Sequence, residues 1–145
     1  MYDIKRFVIL PEEKLILEYL KGKVSWSEYM GMKKDEMASP LYDGTFGVII
    51  DIRDVHTDFT LKIEKEISSY VKYLGSQQFN LKHRTSVVTN TPKQLLHAEF
   101  FKMSGSELPI MTKTVSTYQS AFDYIQLDKN KYQKIEGFFE EMKAG

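Results

Sequence analysis

Gly47-Val48-Ile49-Ile50-Asp51-Ile52 is the stretch on which the reading of the fold turns. It is apolar without alternation, the pattern of a strand covered on both faces in a largely parallel sheet. Asp51, Arg53 and Asp54 gather at its end. Upstream, Phe7-Val8-Ile9-Leu10 is β-rich and stops at Pro11. Pro11-Glu12-Glu13-Lys14 is a turn-like break. Leu15, Ile16, Leu17, Tyr19 and Leu20 then form a second strand that ends near Gly22. Two strands with a short polar link predict an opening hairpin.

Helices fill the spaces between later strands. Ser25-Trp26-Ser27-Glu28 has capping-box spacing, in which the Ser hydroxyl accepts from a free N–H and Glu28 reaches back. Trp26, Tyr29, Met30 and Met37 recur near helical spacing, so a helix is expected over 26–38, ended by Ser39-Pro40. Thr60 can cap a second helix through Leu61, Ile63, Ile67, Tyr70, Val71 and Leu74, with one apolar face and Lys62, Glu64, Lys65 and Glu66 in water. Residues 85–89 read as a short strand. Thr91-Pro92 opens a third helix, with Pro where its missing N–H costs nothing. Ile110, Thr112, Thr114 and Val115 predict a last strand, followed by a helix capped by Ser116 or Thr117 and carrying Tyr118, Ala121, Phe122 and Ile125. In the tail, Tyr132, Ile135, Phe138, Phe139 and Met142 share a helical stripe.

The order is therefore β-β-α-β-α-β-α-β-α with an extra helix. Strands alternating with helices imply a mostly parallel sheet with helices on it, and the opening hairpin makes it mixed. The expectation is a single α/β domain over 1–145, with about five strands and four helices in a core of 5–127, and a C-terminal helix over 130–143. The length of 145 residues suits one domain. A chain of that size buries roughly 68–70% of its unfolded surface, so it needs no staple. It contains no cysteine, which excludes a disulfide scaffold and a thiolate metal site. Twenty basic and twenty acidic residues cancel, against a nucleic-acid binder that works by neutralising phosphates. No apolar stretch has the length of a signal peptide or a membrane span, and the reading is cytoplasmic.

Chemistry-bearing motifs are few. The chain has neither a G-x-x-x-x-G-K loop, a G-x-G-x-x-G loop nor a G-x-S-x-G elbow. His56, His83 and His97 have no histidine three or four residues away. No catalytic residue, metal or cofactor is therefore assigned. Asp51, Arg53, Asp54, His56, Thr57, Asp58 and Thr60 make the densest polar cluster, at the carboxyl end of the best strand. Ligands gather there in open α/β sheets, and the following helix N-terminus would favour an anion. Asp51, Arg53, Asp54, Thr57 and Thr60 are thus candidate contacts for a partner or anion. The plainer alternative is that Asp51 and Asp54 only pair with Arg53 and cap the turn. Phe100, Phe101 and Met103 on the third helix, with Leu95 and Leu96 behind them, either line a pocket or an interface or sit in core; Leu96, Phe100 and Met103 are the candidate pocket residues. The tail stripe either covers its own sheet or pairs with a second copy of the chain as a homodimer.

The segments Glu13-Lys14-Leu15-Ile16-Leu17-Glu18 with Gly22, Val48 to Val55, Val87-Val88 with Thr91-Pro92 and Met103-Ser104-Gly105, and Ser116 to Ile125 together resemble STAS domains of the anti-sigma-factor antagonist type. The match spans about residues 7–127. Leu10-Pro11-Glu12-Glu13 and Asp51-Ile52-Arg53-Asp54-Val55 are similar to the SpoIIAA-like branch. The resemblance implies a non-enzymatic regulatory or protein-interaction module, docking an unidentified partner through 54–62. Regulatory members carry Asp-Ser-Ser/Thr-Gly where this chain reads Asp58-Phe59-Thr60-Leu61-Lys62. The acceptor position holds Leu61 and the glycine is missing, so Thr60 is expected to be a helix cap and not a phosphorylation site. The branch is also likened to CRAL-TRIO lipid carriers. That implies an alternative, a carrier or sensor of a small amphiphile in a pocket between sheet and helices, lined by Leu96, Phe100 and Met103.

Overall fold

The computed structural model describes residues 4–56, 63–76 and 82–145. Its strands are β1 (Ile4–Leu10), β2 (Leu15–Gly22), β3 (Gly47–Val55), β4 (His83–Val88) and β5 (Ile110–Val115). Its helices are α1 (Trp26–Ala38), α2 (Ile63–Gly75), α3 (Pro92–Ser104), α4 (Tyr118–Tyr124) and α5 (Tyr132–Ala144), with a 3₁₀ turn at Lys129–Lys131. The expected element order is the observed one. β3 runs three residues beyond the apolar stretch and carries Arg53 and Asp54 within it. Thr60, the expected cap of α2, lies outside the described residues.

The sheet order is β1-β2-β3-β4-β5. β1 pairs antiparallel with β2, and the other neighbours are parallel. Each parallel step advances one strand in the same direction. Right-handed crossovers therefore lay α1, α2 and α3 on one face. After β5 the chain returns over the other face as α4 and α5. The two cores agree with this. Leu15, Leu17, Ile49, Val88, Phe122, Ile135 and Phe139 pack under α4 and α5, while Leu20, Tyr29, Met32, Val55, Tyr70 and Leu74 pack under the other three helices.

The caps are local and legible. Glu28 N–H donates to Ser25 Oγ at 3.1 Å while Ser25 N–H donates to Glu28, closing the expected capping box. Thr91 and Gln94 close a second one at α3. Thr117, not Ser116, caps α4. β2 ends at Gly22 with φ 86°, a conformation that glycine adopts without steric cost.

One irregularity shapes the molecule. Tyr19 pairs with Asp51, yet Lys21 pairs with Asp54, so β3 carries one extra residue and bulges. A bulge shifts the side-chain alternation by one. Val48, Ile50 and Ile52 face α1–α3, and beyond the bulge Val55 does too. The carbonyls of Arg53 and Val55 each accept from the Gln94 Nε2 amide, at 3.1 and 3.0 Å. Gln94 is 1% exposed. This side chain clamps α3 to the bulge and sets the helix's rotation.

Candidate functional site

A cavity of about 100 Å³ lies between the sheet and α1–α3. Its sheet side is built by period-two alternation: Val48, Ile50 and Ile52 from β3, and His83, Thr85 and Val87 from β4. α3 contributes His97, Ala98 and Phe101, spaced as one helical face. α1 contributes Trp26, Tyr29 and Lys33, and α2 contributes Tyr70 and Leu74.

One wall is aromatic. Trp26 stacks with Phe101 (centroids 5.7 Å apart, planes 14° apart) and with His97 (6.5 Å, 11°). Trp26 Nε1–H donates to His97 Nδ1 at 3.2 Å, which places the imidazole proton on Nε2. Tyr70 leans on both Trp26 and Phe101. Burial holds the His97 pKa below its ordinary value, so the ring is neutral.

Beside this wall lies a buried polar cluster. Glu18 on β2 and Glu36 on α1 are wholly buried, and Lys33 nearly so. Lys33 Nζ donates to Glu18 Oε2 at 3.0 Å and to Glu36 Oε1 at 3.2 Å, and Tyr29 Oη donates to Glu18 Oε1 at 2.5 Å. Burial pushes Glu18 up, but the Lys33 charge and the bonds from Glu36, Tyr29 and Lys33 outweigh it and hold the carboxyl below its ordinary value. Burial and the facing Glu18 charge push Glu36 up to about 9. The pair therefore shares one proton at neutral pH. Glu36 Oε2 has no hydrogen-bond partner among the described residues. Glu18⁻, Lys33⁺ and neutral Glu36 together carry no net charge.

His83 completes the polar side. Its Nδ1 lies 2.8 Å from the Gly44 carbonyl. A carbonyl only accepts, so Nδ1 carries the proton and Nε2 is left as an acceptor. Burial, and then the Lys33 charge, push the His83 pKa down to about 4.

Of the polar cluster expected at the end of β3, Asp51, Arg53 and Asp54 lie towards the other face and have hydrogen-bond partners there. Arg53 holds the Asp51 carboxylate with Nε at 3.0 Å and Nη2 at 2.9 Å, and Tyr118 Oη donates to it at 2.5 Å. Lys143 Nζ stands 3.6 Å away. Arg53 and Lys143 both lie over the Tyr118 ring. Burial raises the Asp51 pKa, but the bonds from Arg53 and Tyr118 outweigh it and keep the carboxyl below its ordinary range. Asp54 accepts from Tyr19 Oη at 2.6 Å. These bonds tie β3 to α4 and α5. Thr57 and Thr60, the other candidates there, lie outside the described residues, as does most of 54–62.

One expectation changes. Leu96 is 46% exposed and Met103 71%, and neither they nor the half-buried Phe100 line the cavity. The inner face of α3 is Gln94, His97, Ala98 and Phe101, because the Gln94 clamp fixes its rotation. The tail stripe covers its own sheet: Ile135 and Phe139 are wholly buried and Met142 nearly so. Tyr132 and Phe138 of the same stripe are half-buried. Glu18, Lys33 and Glu36 were not singled out as candidates from sequence. Lys33 and Glu36 are spaced i, i+3 on the same helix face as Tyr29, the signal that could have found them.

Among the described residues, no group of three His, Asp or Glu side chains is placed to hold a metal ion, and no helix is long and apolar enough to cross a membrane.

The chain is similar to the crystal structure of an uncharacterized protein of the DUF3478 family with a SpoIIAA-like fold from Shewanella loihica PV-4. The TM-score is 0.53 at 11% identity, covering 85% of this chain and 93% of that one. No protein-family model and no curated protein matches the chain. At this identity the likeness speaks for the fold alone. The fold is SpoIIAA-like: one α/β domain with a five-stranded mixed sheet and five helices.

Proposed function

We propose that the protein is a non-enzymatic binding module that holds a small, largely apolar molecule in the cavity between the sheet and α1–α3. The observation that carries this reading is the cavity itself. It is walled by apolar and aromatic side chains, with a few polar groups converging on one part and pKa values displaced in both directions, the pattern of a ligand site. Its volume bounds the ligand. An apolar cavity of about 150 Å³ accepts benzene, so about 100 Å³ suits a molecule of roughly one ring and not a long acyl chain. The amphiphile expected from the lipid-carrier likeness is thereby narrowed to something short and compact.

The Asp51 cluster supports a structural role instead. Its carboxylate has donors on both oxygens, so an incoming anion or substrate would have to break bonds already made. A regulatory role through a protein partner would act from 54–62, most of which lies outside the described residues.

Mass spectrometry on gently purified protein, first native and then denaturing, tests the reading. The expected result is an additional small mass that leaves on denaturation. A bare chain that also takes up no single-ring probe such as benzene would overturn it.

A further inference from the structure

We infer that the cavity selects a single-ring molecule bearing a hydroxyl group, a phenol or a small aromatic alcohol. The inference rests on the cavity being a ligand site and adds the ligand's chemistry. An ammonium has three N–H donors. Lys33 lines the cavity, and among the described residues two of its donors are used, on Glu18 and Glu36. The third is available to an acceptor. His83 also lines the cavity, and its bond to Gly44 leaves Nε2 as a lone-pair acceptor. Lys33 thus offers the cavity a donor and His83 an acceptor.

A hydroxyl has the chemistry for both: its oxygen accepts an N–H, as from Lys33, and its hydrogen goes to a lone pair, as on His83 Nε2. The Thr85 hydroxyl, on the same face of β4 and also in the wall, can serve either atom. A charged group fits worse. Glu18, Lys33 and Glu36 already balance, so an added anion would face Glu18 and an added cation Lys33, and unpaired charge is costly to bury. A flat ring fits the stacked wall of Trp26, His97 and Phe101.

Phenol and toluene differ by a hydroxyl against a methyl group at nearly the same shape, and Trp26 in the wall reports binding by its fluorescence. Titrating the wild-type protein with each is expected to give phenol at least about tenfold tighter binding, because a site built around a hydroxyl penalises its absence. Equal or tighter binding of toluene overturns the hydroxyl inference while leaving the cavity reading intact. Binding of neither overturns the cavity reading. His83→Leu, checked for its fold by near-ultraviolet circular dichroism, is expected to keep toluene and lose the preference for phenol. A preference that survives in the folded variant overturns the role given to His83. If that variant does not fold, the wild-type comparison decides.

Discussion

The two faces of the sheet are built on different terms. Under α4 and α5 the core is dry, with Phe122, Ile135 and Phe139 wholly buried and Tyr118 stacked 4.6 Å from Phe139. Its polar groups are satisfied within it: Ser86 Oγ donates to the Ala121 carbonyl, and Asp51, Arg53 and Tyr118 bond to one another. Under α1–α3 a buried cation and two carboxyls lie inside, beside space that protein atoms do not fill. Close packing stabilises most where it leaves no void. Buried ion clusters are weak stabilisers, since removing charges from water costs about what their attraction returns. The first face holds the fold together. The second gives up packing and keeps charge inside, which is the expected mark of a site.

The largest effect that would sharpen this contrast is at Lys33. Lys33→Met strands Glu18 as a buried charge and is expected to cost about 3–5 kcal/mol in denaturant unfolding. Replacing Lys33, Glu18 and Glu36 together by Met, Leu and Leu is expected to recover most of that loss, or exceed it. A triple variant as unstable as the single one would show that the cluster itself stabilises the fold.

Truncations should separate the faces next. Phe139→Ala is expected to cost about 3–5 kcal/mol, because it opens a new cavity in a filled core. Phe101→Ala is half-buried beside a void and should cost clearly less. Equal costs by thermal unfolding would erase the distinction.

A further effect is a dependence on pH. Glu36 keeps its proton in the fold to about pH 9, whereas the unfolded chain releases it near 4.5. The folded state then binds more protons across that window, so this contribution is lost as pH rises. His83 works in the opposite sense between its ordinary 6.5 and about 4, where its contribution is lost as pH falls. Above 6.5 the Glu36 effect stands alone. The free energy of unfolding should decline from about pH 6.5 to 9, and Glu36→Gln should flatten that decline. Because the two carboxyls are coupled, the slope belongs to the pair. An unchanged slope in Glu36→Gln would place the titrating group elsewhere.

Much of the fold was legible because local signals and tertiary structure agree. Ser25 and Thr91 cap where their spacing says, and the unalternating Val48-Ile49-Ile50 is indeed covered on both faces. The candidate site was legible only in part. Leu96, Phe100 and Met103 and the observed His97, Ala98 and Phe101 are two faces of the same helix with similar apolar spacing. What chooses between them is the bond from Gln94 to carbonyls opened by a bulge forty residues away, and a non-local hydrogen bond leaves no periodic trace. Glu18, Lys33 and Glu36 read singly as polar residues, although Lys33 and Glu36 fall on the helix face of Tyr29. Their burial depends on each meeting the others, which single-residue polarity does not encode. Asp51 and Arg53 drew attention as a dense polar cluster, and the Asp51 carboxylate is held by Arg53 and by Tyr118 of α4.

The central claim is that the α1–α3 face holds a small molecule. It is tested most directly by native mass spectrometry of the wild-type chain beside Ala98→Phe, which puts a ring into the cavity from its α3 wall. The expected result is a small adduct on the wild-type chain, lost on denaturation and missing from a folded Ala98→Phe. An adduct of equal occupancy on both chains would place the ligand elsewhere and contradict the account.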